Sequence, residues 1–112
     1  MDIAFRTNKH RRCANDHRYA QRELGPRQAR LFLDRLTELK SASTLADLRN
    51  LPQAGHHELV GDRKGELSCN LDHPYRLIYV PAHDPVPRKP DNGLDWDAVT
   101  AVKIQEIVNY HG

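Results

Sequence analysis

The spacing of apolar residues divides the chain into a helical half followed by a strand-rich half. Ile3 and Phe5 alternate with polar neighbours, which predicts a short strand over residues 2–6. Thr7 or Asn8 can cap a following helix that runs to about residue 24. Its predicted apolar face, with spacings of four, three and four, consists of Cys13, His17, Ala20 and Leu24.

A second helix has the clearest period in the chain. Gly25 ends the first helix, and Pro26 suits the first turn of the next one. The short connection predicts an antiparallel helical hairpin. The wide apolar stripe of the second helix consists of Ala29, Phe32, Leu33, Leu36 and Leu39. Thr44 to Asp47 resembles a capping box and predicts a short helical turn over 45–49.

Residues 57–80 predict three antiparallel strands with tight connections. Gly61 and Gly65 bracket a charged turn, and His73-Pro74 interrupts strand pairing. A long proline-containing loop over 81–96, with Trp96 anchoring its far end, precedes a last β-rich segment over 99–108. We therefore expect a single domain over residues 1–112 with an α+β fold, in which an N-terminal strand and a helical hairpin pack on an antiparallel sheet.

The charge is unevenly distributed along the 112 residues, although the net charge is only +2. Residues 1–50 carry 11 Lys and Arg against 6 Asp and Glu, whereas residues 51–112 carry 6 against 9. A basic half suits an anionic partner such as nucleic acid, and solvated helix faces explain it equally well.

Cysteine, histidine and apolar content exclude several classes. Cys13 and Cys69 form neither a metal-type pair nor a disulfide framework, so we interpret both as reduced, small apolar residues. The sequence contains no His-x₃-His or Cys-x₂-Cys spacing, and we expect no metal and no cofactor. No apolar run approaches the ~20 residues that span a bilayer, and no signal peptide is evident, so we expect a cytoplasmic protein without membrane contact.

The combination of several segments resembles the RelE/ParE superfamily of toxins from type II toxin–antitoxin modules, and within it the HigB-type (plasmid killer, host inhibition) toxins. The matching segments are His57 to Gly65, Ser68, Tyr75 to Tyr79 and the terminal Tyr110-His111. The resemblance implies ribosome-dependent, metal-independent endonucleolytic cleavage of mRNA. It implies as partners the ribosome, mRNA and a helix-turn-helix antitoxin, with DNA contacted only indirectly through that antitoxin.

RNA cleavage by a 2′-hydroxyl needs a base, an acid and a cation beside the phosphate. His57 is the candidate base or acid because histidine titrates nearest neutral pH. His56 is the alternative if the strand register shifts by one, since it would point to the opposite side. Arg76 lies in an apolar strand and must find an anion, which is either a phosphate or the carboxylate of Asp72 or Glu66.

The remaining candidate residues lie in the turn, on the first helix and at the C-terminus. Lys9, Arg63 and Lys64 are candidate substrate-binding cations, and Arg63 is equally well explained as structural. The resemblance gives Tyr110 a hydrogen-bonding or stacking role and His111 a proton-transfer role.

The chain departs from the HigB-type pattern at Asn109, where Asp is common, and at Asp72, where Arg is common. These departures keep open a degenerate toxin that retains only antitoxin binding. Independently of them, a ParE-like inhibitor that acts by binding DNA gyrase is an alternative function.

Overall fold

The computed structural model describes residues 1–109 and has the predicted α+β fold. The described strands are β1 (Asp2–Phe5), β2 (His57–Glu58), β3 (Leu67–Asn70), β4 (Tyr75–Pro81) and β5 (Ala101–Asn109). The described α-helices are α1 (Asn8–Asn15), α2 (His17–Leu24) and α3 (Pro26–Ser41). Short 3₁₀ turns, including Leu45–Asn50 and Gly61–Arg63, connect the other elements.

The first helical segment is two helices rather than the single helix predicted. Thr7 caps α1, since its side chain accepts a hydrogen bond from the backbone N–H of His10. Asp16 then leaves the helical conformation, and its carboxylate accepts from the backbone N–H of Tyr19 to begin α2. Aspartate competes with the helical backbone in this way, so Asp16 acts as a new N-cap. The break leaves His17 exposed, contrary to the predicted apolar face.

Helix α3 packs most of its predicted apolar stripe against the sheet, whereas Leu33 is only partly buried and is not part of the core. Ala29, Phe32, Leu36 and Leu39 are buried, and they join a core that contains the strand residues Leu67, Cys69, Leu77, Tyr79, Val102 and Ile104. Pro26 stands at the start of α3, as predicted, and the hairpin connection between α2 and α3 is the single residue Gly25. The predicted helical hairpin is therefore confirmed for α2 and α3.

The sheet is mixed, whereas the sequence predicted an antiparallel one. Its order is β1-β5-β4-β3-β2. The three strands β2, β3 and β4 form the predicted antiparallel meander, and β5 continues it. β1 pairs with β5 in parallel, with Ile3 opposite Val102. The helices carry the chain from β1, at one edge of the sheet, to β2 at the other edge. The meander then leads back to β5, which lies beside β1 and runs parallel to it.

The two faces of the sheet differ in chemistry. One face packs against the helices and holds Leu77 and Tyr79. The other, which we call the far face, carries the alternate residues of each strand, so Arg76 and Ile78 of β4 lie on it. One row of cross-strand neighbours on the far face is His57, Ser68, Ile78 and Glu106, and the next row is Asn70, Arg76 and Val108.

The proline-containing loop is tied back to the start of the meander. Trp96 is buried, and its indole N–H donates to the Glu58 carboxylate at 3.0 Å. The Arg49 guanidinium stacks on the Trp96 ring, 4.3 Å from the ring centroid. Trp96 thus anchors the far end of the loop, as the sequence predicted. Among the described residues, no helix is both long and apolar enough to cross a membrane.

Candidate functional site

His57 lies on edge strand β2 with its ring exposed on the far face. Its Nδ1 is 2.8 Å from the carbonyl oxygen of Gly55. A carbonyl oxygen only accepts hydrogen bonds, so Nδ1 must carry the hydrogen. In the neutral ring this leaves the lone pair on Nε2. The backbone therefore holds His57 in the tautomer that can take up a proton at Nε2.

Arg76 lies on the same face of the sheet and forms no salt bridge within residues 1–109. Its guanidinium donates to the side-chain carbonyl of Asn70, its cross-strand neighbour. The two carboxylates that the sequence offers as structural partners are occupied elsewhere. Asp72 accepts from Arg27 at 2.7 Å, and Glu66 accepts from Arg63 at 3.1 Å. Arg76 thus retains donors for an external anion.

The strand register sets the separation of His57 and Arg76. His57 pairs with Ser68 and Ser68 pairs with Ile78, which is two residues from Arg76 on β4. Two strand spacings and two residues along a strand correspond to roughly 12 Å between the Cα atoms. Both side chains extend from the same face, so an extended anionic chain could contact both of their polar ends. This geometry suits a phosphodiester lying across β3.

Arg63 is held by two carboxylates and ties the turn after β2 to the opposite half of the sheet. Besides Glu66, it contacts Glu106 of β5 at 3.7 Å. Because β3 and β4 lie between β2 and β5, the Arg63 side chain must span the row that contains Ser68 and Ile78. Ser68 and Ile78 are buried although they lie on the far face. Of the two explanations for Arg63, the geometry favours the structural one.

The other predicted cations and the terminal residues are dispersed. Lys64 is exposed in the turn that follows β2, at the same edge of the sheet as His57. Lys9 is exposed on α1, which follows β1 at the opposite edge of the sheet. Lys9 therefore lies apart from the pair formed by His57 and Arg76. Tyr110 and His111 lie outside the described residues, and Asn109 ends β5 opposite Tyr75.

His56 faces the other way, as expected for the residue next to His57. Its Nδ1 is 2.8 Å from the Tyr79 hydroxyl, and its Nε2 is 3.4 Å from a Glu38 carboxylate oxygen. Burial lowers the pKa of His56 to about 4, and the charge of Arg35 and the neighbouring His57 add to the decrease. His56 is therefore neutral at physiological pH and belongs to the interior between α3 and the sheet.

The cysteines fit their predicted role as small apolar residues. Cys13 and Cys69 are both buried and free, and burial raises the pKa of each thiol. Within residues 1–109, no group of three or more His, Cys, Asp or Glu side chains is arranged to hold a metal ion. The polar groups of the far face include a histidine, arginines, an amide, a hydroxyl and the Glu106 carboxylate, which contacts Arg63.

Comparisons with known proteins find similarity only among solved structures. No protein-family model and no curated protein sequence matches the chain. Among solved structures, a YoeB/ParE toxin from Agrobacterium tumefaciens aligns with 99% of this chain and 100% of that chain, at 12% sequence identity and a TM-score of 0.48. A likeness at this level assigns neither an activity nor a site to this chain.

Two further residues lie at the site. Asn70 had no signal in the sequence, and Ser68 belongs to the matching segments but had no assigned role. Asn70 contacts Arg76, and its side chain also lies against Gly55. Ser68 stands opposite His57, and its buried hydroxyl has no hydrogen-bond partner within residues 1–109. Both positions acquire their surroundings through strand pairing, so neither local periodicity nor composition could single them out.

Proposed function

We propose that this protein is the toxin of a type II toxin–antitoxin module, similar to the HigB-type members of the RelE/ParE superfamily. It acts as a ribosome-dependent endoribonuclease that cleaves mRNA without a metal ion and thereby inhibits translation. The observation that carries the proposal is the pair on the far face: His57 with Nε2 free to take a proton, and Arg76 with no carboxylate neutralising it within residues 1–109.

The chemistry of cleavage divides among three groups. His57 Nε2 removes the proton from the 2′-hydroxyl, and the oxygen attacks the adjacent phosphorus. Arg76 places its remaining N–H donors on the phosphate oxygens, where negative charge grows in the transition state. An acid then protonates the departing 5′-oxygen, which leaves a 2′,3′-cyclic phosphate on the upstream fragment.

Tyr110 and His111 complete the proposed site. The resemblance assigns them, and they follow in sequence shortly after Val108, the cross-strand neighbour of Arg76. His111 is the proposed acid, and Tyr110 is the proposed hydrogen-bonding or stacking group. Lys64 and Lys9 contact the RNA backbone on either side of the site, while Arg63 holds the turn that carries Lys64.

The proposed partners are the ribosome with its mRNA and a helix-turn-helix antitoxin. Antitoxin binding neutralises the toxin, and DNA is contacted only through the antitoxin. We place the protein in the cytoplasm, where these partners are found. The proposed site needs no cofactor, because a histidine pair and an arginine supply all three required groups.

Induced expression in a host cell that lacks the antitoxin tests the proposal. We expect growth arrest, loss of protein synthesis and mRNA fragments with 2′,3′-cyclic phosphate ends. The His57→Ala/His111→Ala double variant should relieve all three effects. His17→Ala is the matched control, because His17 is an exposed histidine on α2, where its ring contacts Gln21 and no residue of the proposed site.

Two outcomes would overturn the proposal. Normal growth with soluble wild-type protein present would leave only a degenerate toxin that binds its antitoxin. Growth arrest with DNA damage and continued translation would instead indicate a gyrase inhibitor that acts by binding. In that second case the double variant should remain toxic, since a binding inhibitor does not need a proton-transfer histidine.

A further inference from the structure

We propose that Asn70 is a positioning residue that orients both His57 and Arg76. The inference rests on the proposed function, since it concerns the same site. Asn70 is the last residue of β3 and lies on the far face between the two candidate catalytic residues. It would act through them, because the carbonyl oxygen and the amino group of its amide are both bonded within the protein.

The two ends of the Asn70 amide hold two different elements. Its carbonyl oxygen accepts from the Arg76 guanidinium on β4. Its amino group donates to the main-chain carbonyl of Gln53 at 3.2 Å. The partners fix the orientation of the amide, because a guanidinium only donates and a main-chain carbonyl only accepts.

Gln53 is two residues before Gly55, whose main-chain carbonyl orients His57. Gly55 has a positive φ of 66°, and a Cβ at this position would stand 2.6 Å from the Asn70 amino nitrogen. The chain therefore passes directly against the Asn70 side chain, which only glycine permits here. Asn70 thus fixes the segment 53–55, and the Gly55 carbonyl at its end accepts from His57 Nδ1.

The backbone of Asn70 is itself anchored from the helical layer. The Nε of Arg35 on α3 donates to the main-chain oxygen of Asn70 at 2.7 Å. The other end of the Arg35 guanidinium is paired with Glu38 at 2.5 Å. Hydrogen bonds therefore connect α3 through Asn70 to Arg76, and the backbone of residues 53–55 continues from Asn70 to the carbonyl that holds His57. This is the kind of support that well-ordered sites need.

Only an amide satisfies both partners of the Asn70 side chain. An aspartate would keep a partner for Arg76 but would turn an oxygen toward the Gln53 carbonyl, where two acceptors repel each other. It would also neutralise Arg76 and weaken its hold on a phosphate. Alanine would leave Arg76 charged but free to rotate, and it would release the Gly55 segment. The two substitutions therefore predict different kinetic defects.

Kinetic measurements of the cleavage of ribosome-bound mRNA test these two expected defects. For Asn70→Ala we expect kcat to fall on the order of ten- to a hundredfold with KM changed much less, since small misplacements of catalytic groups cost this much. For Asn70→Asp we expect KM to rise as well. Asn15→Ala is the matched control, since it also removes one hydrogen bond from an asparagine side chain to a main-chain carbonyl, on α1. Wild-type KM and kcat in both Asn70 variants would overturn the positioning role.

Nitrogen NMR of the His57 ring provides a readout that does not depend on RNA cleavage. In the wild type we expect the Nδ1-protonated tautomer, and in Asn70→Ala a mixture of both tautomers. An unchanged His57 ring in Asn70→Ala would show that Asn70 does not orient His57. A changed ring in a protein whose wild type cleaves no RNA would support the positioning of His57 while the proposed function fails.

Discussion

The difference between His56 and His57 shows how one residue type acquires two chemistries in adjacent positions. His57 is exposed and bonded through Nδ1 to a carbonyl, which leaves Nε2 available. The side chain of His56 is fully buried against Tyr79 and Glu38, and its pKa is lowered to about 4. Strand geometry sends successive side chains to opposite faces. Of the two, only His57 is accessible to a substrate.

At Arg76 we predict that lysine cannot replace arginine. The Arg76→Lys variant should fold normally but lose on the order of a hundred- to a thousandfold in mRNA cleavage, since removing a transition-state donor costs about 3–4 kcal/mol. A lysine carries a single ammonium group, which cannot bond Asn70 and present two parallel donors to a phosphate at once. Cleavage of ribosome-bound mRNA and the melting temperature should be measured on the same purified variant.

Arg27→Lys is the matched control for Arg76→Lys. Arg27 is an exposed arginine that pairs with Asp72, a carboxylate that the sequence also offers to Arg76. Its replacement should leave cleavage unchanged and alter stability by less than about 1 kcal/mol, as for other exposed ion pairs. Wild-type cleavage by Arg76→Lys would remove Arg76 from the proposed site.

The sequence could predict the chemical residues of the site more readily than their supports. His57 stands out because histidine titrates nearest neutral pH, and Arg76 stands out because an arginine in an apolar strand needs an anion. Asn70 is an ordinary polar residue in the sequence, and its contacts with Arg76 and Gln53 arise only when β3, β4 and the segment before β2 come together. Local patterns do not contain such contacts, which depend on pairing between distant segments.

At the scale of elements, capping and strand direction were the features that periodicity missed. The spacing of apolar residues continues across Asp16, so it predicted one helix where the structure has α1 and α2. A strand has the same alternation whether it pairs in parallel or not, so the direction of β1 could not be obtained from its pattern. The meander and the stripe of α3, apart from Leu33, were predicted correctly because each has a clear and uninterrupted period.

The contact between α3 and the sheet should make stability depend on pH through His56. The pKa of His56 is about 4 in the folded protein against an ordinary value of 6.5, so the unfolded state binds more protons between these values. Stability from this group is fully present above pH 6.5 and is lost as the pH falls toward 4. The expected loss at pH 5 is at most about 2 kcal/mol, and the raised pKa of Glu38 opposes it.

Urea unfolding at pH 7 and pH 5 measures this effect. The His56→Gln variant should be less stable than the wild type at pH 7 but should lose less stability between the two pH values. His17→Ala, with its exposed histidine removed, should keep the wild-type dependence. An equal loss in the wild type and in His56→Gln would show that His56 does not control the acid sensitivity.

Across the whole molecule, the basic charges fall into two groups. Several arginines are neutralised by carboxylates, as in the pairs Arg27–Asp72, Arg35–Glu38 and Arg63–Glu66. The exposed cations of α1 and α2 have no salt bridge within residues 1–109, and the first 50 residues carry most of the positive charge. Unpaired cations on one side of a molecule attract an extended polyanion before any specific interaction forms.

We therefore predict that reversing charges on these helices weakens RNA binding without altering the chemical step. The Lys9→Glu/Arg18→Glu variant should bind mRNA on the ribosome more weakly and with a smaller dependence on salt. The logarithmic salt slope should fall by about 0.7 for each single-strand phosphate that the variant no longer neutralises. Its single-turnover rate at saturating ribosome should stay at the wild-type value, because Lys9 lies at the sheet edge opposite to His57.

The control for this charge reversal is Arg88→Glu/Lys89→Glu, which makes the same charge change in the loop before β5. We expect its affinity for ribosome-bound mRNA to fall much less, because these two cations lie outside the helical half that carries the excess positive charge. An equal fall in affinity in both variants would mean that net charge alone attracts the RNA. A slower single-turnover rate in the helix variant would instead place Lys9 or Arg18 in the cleavage site, since a residue that only attracts the RNA has no effect once the complex has formed.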